Sequence, residues 1–295
     1  IQGIGLSETA FQSALHYSKE RVQGKLPDSE NVADPIIVHP EIRKNLMFMK
    51  SMNDGIRGLM LKAGHAFDII ESDQNEELTK SSDNLIALLT PILKSFATDK
   101  SMEITNQALQ IYGGHGYITD HGMEQLVRDA RITPIYEGTN GIQALDLIGR
   151  KFNIHNGLII NQYLDEINKF LEDNKDDKKL HKFIKLFNPS YNDLKESIKF
   201  IKEIPLNSTQ EINSHAVDLL NLFALVAVGF TWLEFIHVSI TKTEDQDDDF
   251  YLAKIQLGEF YLTKVILETQ KFKNNIISSG KLYNEFQDKY FEVGI

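Results

Sequence analysis

Apolar residues recur at steps of three and four along most of this chain, and no stretch shows the period of two that a half-buried strand needs. That pattern directs the backbone to helices with one buried face. Between Ile1 and Gln23 the stripe is Ile4, Leu6, Ala10, Phe11, Ala14, Leu15 and Tyr17, and it stops at Gly24. Leu26 to Pro40 holds three of the seven prolines and reads as a loop. A second helix is predicted over about Glu41–Glu71, with methionines that serve more ordinarily as adaptable core than as a cofactor box. After a polar break at Asp73–Glu77, a third helix runs from about Leu85 through Leu109 to a glycine cluster, with Pro91 marking a bend or a boundary. A fourth is predicted to start at Asn140 and to continue through Ala144, Leu145, Leu147 and Ile148. Four such elements make an antiparallel bundle that holds ligands at its ends and between its helices.

The character changes after Lys151. Asn153–Gly157 reads as a short linker, followed by amphipathic helices at Leu158–Leu171 and Leu180–Phe187 on either side of the charge run Glu172–Lys179. Asn188-Pro189-Ser190 and Pro205–Ser208 are predicted to punctuate further helices, and Phe250–Ile277 to form a final long one. The most apolar stretch lies within Glu211–Ile240. Leu219–Ile240 approaches the length of a membrane span, but it contains Asn221, Glu234 and His237 and lacks flanking basic residues, so a helix buried in a helical domain is the expectation. The acidic run Glu244–Asp249 lacks the glycine and terminal glutamate of a calcium loop and reads as helix-terminal or loop acidity. The predicted fold is therefore all-α, in two domains at 1–152 and 153–295.

Composition removes several kinds of chemistry. A net charge of −11 argues against a nucleic-acid surface, and the absence of cysteine excludes disulfides, thiolate metal sites and a cysteine nucleophile. The nine histidines show no metal-ligand spacing. Gly113-Gly114-His115-Gly116 follows a predicted helix rather than a strand, so it is no dinucleotide fingerprint.

The chemistry is concentrated between Gln110 and Arg150. Gly113, Gly114 and Gly116 permit a sharp turn or a close approach of backbone to ligand. Asn140 and Gln143 have the spacing of a capping box, which puts Glu137 just ahead of a helix N-terminus. A carboxylate there either complements the helix dipole or acts as a general base on a glycine-flanked hinge. In the second case Pro134, Ile135 and Tyr136 would supply an apolar wall that can raise its pKa.

Read together, these residues resemble the C-terminal helical domain of the FAD-dependent acyl-CoA dehydrogenases. The match consists of Gln110, Gly113, Gly114, Gly116 and Tyr117, then Arg128–Arg131, then Tyr136–Thr139 with Ile142 and Gln143. It is strong to about Lys151 and weaker beyond, and PIYEGTNGIQALDLIGRK is similar to the 3-methylmercaptopropionyl-CoA dehydrogenase-like branch. The resemblance implies an oxidoreductase that converts an acyl-CoA thioester to its 2-enoyl-CoA, with Glu137 as base and Gly138 leaving room for the thioester. It implies FAD contacts at Gln110, Gly113, Gly114, Thr139 and Asn140, joined across a subunit interface by Arg21 and Gln23 of the Glu20-Arg21-Val22-Gln23-Gly24-Lys25 segment. That segment lacks the family's aromatic before Gly-Lys, and Gly141 stands where a longer polar residue is usual.

The same resemblance implies a homo-oligomer and electron-transfer flavoprotein as electron acceptor, while the absence of a visible signal peptide, the polar residues of Leu219–Ile240 and the net charge give the expectation of a cytoplasmic setting without membrane span or nucleic acid. The family's N-terminal and middle domains are not within these residues, and the chain starts without Met in what reads as mid-helix. The natural N-terminus is therefore expected to lie upstream, and the chain alone to bind FAD poorly and turn over slowly or not at all. Two competing readings are a non-catalytic helical oligomerisation or interaction module and, among enzymes, a flavin acyl-CoA oxidase.

Overall fold

A computed structural model describes residues 1–72, 75–153, 157–245, 248–278 and 280–294, and among these the chain is helical, with a single isolated bridge between Val22 and Pro35. Three helices make the first layer: α1 (Gln2–Glu20), α2 (Pro40–Ser72) and α3 (Glu76–Tyr112). On α1 the buried residues are Gly3, Ile4, Ser7, Ala10, Phe11, Ala14 and Ser18, a stripe facing α2 and α3. Asn75 caps α3 by accepting from the amides of Glu77 and Leu78, and Gly113 ends it at φ 58°. Pro91 lies inside α3 without ending it.

A single turn, α4 (Gly114–Tyr117), leads to α5 (Met123–Ile132), which packs on α3 and α1. The next helix, α6 (Asn140–Leu145), widens at once into a π turn over Asp146–Lys151 that brings Leu147 and Ile148 to the core. The fourth side of the bundle is thus shared, with α5 against α1 and α3, and α6 laid along α3.

The second half consists of α7 (Leu158–Asp173), α8 (His181–Glu203), α9 (Thr209–Ser214), α10 (Ala216–Asp245), α11 (Asp249–Phe260), α12 (Thr269–Ile277) and α13 (Lys281–Glu285). Helix α8 continues through Pro189, where a break was predicted. Its stripe of Phe183, Ile184, Phe187, Tyr191, Leu194, Ile198 and Ile201 is buried. At roughly 1.5–3 kcal/mol per large apolar side chain, that burial outweighs the roughly 3 kcal/mol penalty of a mid-helix proline. The predicted single helix Phe250–Ile277 is interrupted by a π turn at Tyr261–Val265 and a tighter turn at Ile266–Glu268. The wider turn lets Tyr261, Leu262, Val265 and Ile266 all face inward, with the Tyr261 hydroxyl donating to the Leu225 carbonyl at 2.9 Å.

Of the predicted connections, the break at Asp73–Gln74, the linker residues Ile154–Asn156, and Gln246–Asp247 of the acidic run lie outside the described residues. Asp248 caps α11 by accepting from the Phe250 amide at 2.8 Å.

Helix α10 is long and apolar enough to cross a membrane, and 83% of its most apolar window is buried inside the protein. It is covered by α2, α3 and α6 from the first half and by α8, α11 and α12 from the second. One continuous hydrophobic core therefore spans both halves. Against α2, the Trp232 indole donates to the Ser51 carbonyl at 3.1 Å. The Asp54 carboxylate, 2% exposed, meets Lys254 of α11 at 2.7 Å, Lys50 at 3.1 Å and Arg57 at 3.3 Å. A buried carboxylate is tolerable only with such partners.

The approach of α10 to α2 depends on Gly55, where a Cβ would lie 2.5 Å from Val228 Cγ1 and 2.7 Å from Trp232 Nε1. Both neighbours are fully buried and Val228 is stiff. Gly55→Ala should therefore lower unfolding free energy by about 1–3 kcal/mol. Gly5→Ala on exposed α1 surface, with nothing within 4 Å, should raise it by roughly 0.5–1 kcal/mol. Urea denaturation of both variants checks the contrast.

Candidate functional site

Of the predicted site residues, Arg21, Gln23, Gln110, Gly113 and Gly114 line one cavity and Glu137 borders another with no lining residue in common, while Gly138, Thr139 and Asn140 line neither. The first, about 560 Å³, lies where α1 and α3 end together. Arg21, Gln23, Gln110, Gly113 and Gly114 all line it. Tyr17 stacks on Tyr112 with ring centroids 4.0 Å apart, its hydroxyl lies 2.9 Å from His115 Nδ1, and the Tyr112 hydroxyl donates to the Ser13 carbonyl at 3.2 Å. These contacts tie the two helix ends into one wall. Burial pushes the Tyr112 phenol pKa up, with Tyr17 and Glu20 adding to the shift.

Arg21 is the one permanent cation among the lining residues and Glu41 the one carboxylate. The Arg21 guanidinium is exposed and no hydrogen bond or ion pair engages it among the described residues. Gly113 donates its amide to the Gln110 carbonyl at 3.0 Å, so the glycine pair offers the cavity room rather than that donor. The space where a Cβ would stand on Gly113 or Gly114 is empty to 4 Å.

The second cavity, about 350 Å³, is bordered by Glu137 and walled by Met60, Ala63, Phe67, Leu93 and Ala97. The predicted apolar wall thus comes mainly from α2 and α3. Tyr136 lines it, but Pro134 and Ile135 do not. Glu137 itself is exposed at the rim. Among the described residues it is the only non-glycine at positive φ, 54°, and Gly138 follows at 80°. A left-handed glutamate costs roughly 1–2 kcal/mol and persists only where neighbours over-determine it.

Those neighbours are identifiable. The Pro134 carbonyl accepts from the Asn140 amide at 3.0 Å, Gln143 Nε2 donates to the Glu137 carbonyl at 3.2 Å, and Lys94 Nζ donates to the Gly138 carbonyl at 2.8 Å. The backbone N–H of Glu137 has no acceptor among the described residues.

Two expectations change. The N-cap of α6 is Thr139, whose hydroxyl oxygen accepts from the Ile142 amide, rather than Asn140. The Asn140 side chain turns into α3 instead, donating to the Ser95 carbonyl at 3.1 Å, Thr98 Oγ1 at 2.9 Å and Asp99 Oδ1 at 2.7 Å. Its amide oxygen accepts from Lys94 at 3.0 Å. With both polar atoms of its side chain so engaged, Asn140 brackets the turn against α3. Asp99 keeps an exposed flank, yet burial of its carboxyl end raises its pKa against the opposing effects of Asn140, Lys100, Lys94 and Arg131. The pattern of α3 conceals Lys94, Thr98 and Asp99, because polar residues beside an apolar stripe read as solvent-facing. Tyr17 and His115 are likewise visible only once two helix ends meet.

Comparison with known proteins gives a consistent answer. A family model for the acyl-CoA dehydrogenase C-terminal domain matches residues 1–152, and one described as acetyl-CoA dehydrogenase C-terminal like matches 163–286. A 3-methylmercaptopropionyl-CoA dehydrogenase of Ruegeria pomeroyi is 41% identical over 152 residues, 51% of this chain and 26% of that protein. A butyryl-CoA dehydrogenase of Syntrophomonas wolfei is 26% identical over 91% of this chain and 45% of its own length. The chain thus spans less than half the length of these relatives. Among solved structures, an acyl-CoA dehydrogenase complexed with FAD from Bacillus anthracis superposes with TM-score 0.75 at 18% identity, covering 98% of this chain and 49% of that one. Caenorhabditis elegans ACDH-11 in complex with C11-CoA gives 0.72 at 21% identity, covering 89% and 41%. At these identities the superpositions establish the fold.

The loop that carries Gln23 is organised by Asp34, whose carboxylate accepts from the Leu26 amide at 2.9 Å, Ser29 Oγ at 2.7 Å and Asn31 Nδ2 at 2.7 Å. These bonds favour the ionised form and pull its pKa from an ordinary 3.8 to about 2. A depressed carboxyl pKa contributes stability that is complete above the unfolded value and is lost as pH falls through the folded one. The loop should therefore hold through pH 3.8 and loosen as pH approaches about 2. An NMR titration of the Leu26 amide should give a midpoint near 2, and a midpoint near 3.8 would contradict this account.

Proposed function

Because the chain belongs to the acyl-CoA dehydrogenase family, carrying that family's C-terminal domain over residues 1–152, we propose that it forms the C-terminal portion of an FAD-dependent enzyme that converts an acyl-CoA thioester to its 2-enoyl-CoA. The observation that carries the proposal is the Glu137 carboxylate, held on a strained and multiply anchored turn at the rim of an apolar cavity. A scaffold has no need to keep a glutamate at positive φ, and strain of this kind concentrates where a side chain must be aimed.

FAD fits the first cavity by the nature of its lining. The open glycine pair admits a flat or extended group, Arg21 presents a free guanidinium suited to pyrophosphate, and Gln23 and Gln110 add amides. Bound there, FAD would supply the hydride-accepting chemistry at the substrate β-carbon. The chain's own part is proton removal. Glu137 takes the α-proton, and the electrons of that C–H bond become the α,β double bond as the β-hydride leaves. Charge that develops on the thioester oxygen needs a donor, and the unengaged backbone N–H of Glu137 meets that need beside Gly138. Thr139 keeps its hydroxyl proton for a cofactor contact.

The separation of the two cavities supports a homo-oligomer in which the whole first cavity, with Arg21, Gln23, Gln110, Gly113 and Gly114, serves the cofactor that works beside Glu137 of a neighbouring subunit, since Glu137 shares no lining residue with it. We further propose electron-transfer flavoprotein as acceptor, a cytoplasmic setting, and residues 153–295 as an added helical domain that braces α2 from behind.

Glu137→Gln in the flavin-loaded enzyme should lower kcat on the order of 10²- to 10⁴-fold while flavin stays bound. Undiminished turnover would remove Glu137 from its role. Arg21→Ala should weaken FAD binding by about 1.5–3 kcal/mol without change in helical content, measured by flavin fluorescence and circular dichroism.

A further inference from the structure

Lys94 joins α3 to the backbone of the Glu137 turn. It is half-buried on the wall of the second cavity, and its ammonium donates to the Gly138 carbonyl at 2.8 Å and to Asn140 Oδ1 at 3.0 Å. Asn140 in turn donates to Asp99 Oδ1 at 2.7 Å, so cation, amide and carboxylate form one relay that starts and ends on α3 and grips the turn between. Gly138 follows the strained residue directly, and its carbonyl orientation fixes the ψ of the second left-handed position. The other grip, Gln143 on the Glu137 carbonyl, comes from α6 within the same local segment. Asn140 also reaches Ser95, Thr98 and Asp99 of that helix, but Lys94 is the α3 side chain that holds a backbone carbonyl of the turn itself.

Resting on the reading of Glu137 as base, we propose that Lys94 is a positioning residue for proton abstraction, anchoring the Gly138 carbonyl so that the Glu137 side chain faces the apolar cavity. Burial lowers the Lys94 pKa, and the charges of Asp99 and Glu137 oppose that shift. A desolvated ammonium is costly unless charge or strong acceptors compensate. Its placement against a backbone carbonyl next to Glu137 is where such a cost yields geometry.

The test uses the holoenzyme with Lys94→Met, Lys94→Arg and Glu137→Gln in parallel. Displacing a catalytic group by about 1 Å costs on the order of 10²-fold in rate, so Lys94→Met should lower kcat by that order with KM nearly unchanged. Hydrogen exchange should rise at the amides of residues 136–141 and not along α1 or α2. Lys94→Arg, which restores charge and donors, should recover most of the rate and the protection. Unchanged kcat and exchange in Lys94→Met overturn the proposal. So does a rate loss that follows loss of folded protein and is equal in the Arg and Met variants. If Glu137→Gln is inactive while Lys94→Met behaves as wild type, this inference fails and the base assignment stands. If Glu137→Gln is fully active, the base assignment fails and takes this one with it.

Discussion

Helix α10 has no face to offer water over its middle three turns, since every residue from Leu222 to Leu233 is buried. A helix that is apolar all round must be sheathed, and the sheath decides where the other long helices lie. From one side α8, α11 and α12 close over it, with glycine and π-turn adjustments that bring Tyr261 and Ile266 inward. From the other side it rests on α2 and α3. Helix α2 is therefore packed between its own bundle and α10.

That arrangement reaches the candidate site through α2. One face of α2 meets α10 at Gly55 and Gly58, where Val228, Thr231, Trp232 and Phe235 press close to the backbone. Another face supplies Met60, Ala63 and Phe67 to the cavity beside Glu137. The Asp54 ion cluster fixes α2 to α11, and Lys62 pairs with Glu234 of α10 and Glu166 of α7. Placement of the cavity wall is thus set by charges and close contacts in the second half, which touches none of the proposed chemistry.

The site itself illustrates a division of labour between covalent neighbours and distant ones. Pro134, Thr139 and Gln143 shape the Glu137 turn from within its own segment. Local contacts of this kind define a conformation but not its place in the molecule. Lys94, Thr98 and Asp99 locate it relative to the bundle. In the other cavity Tyr17, Tyr112 and His115 perform the corresponding task for the glycine pair and Arg21.

The chain's sequence determined most of the long helices, though not α5, that α10 is interior, and which run holds the unusual chemistry, because helical period, glycine spacing and the Tyr136–Thr139 motif are local and legible in order. It also led to a capping role for Asn140, a break at Pro189 and an apolar wall from Pro134 and Ile135, all of which are local inferences. Tertiary structure reversed each one for the same reason. Asn140 finds three acceptors on α3, a helix distant in the chain, and Pro189 is carried by a buried face. The cavity beside Glu137 draws its wall from α2 and α3. Energies of a few kcal/mol from long-range packing exceed the fractions of a kcal/mol by which single residues bias their own neighbourhood, so what depends on which helices meet was decided only by the fold.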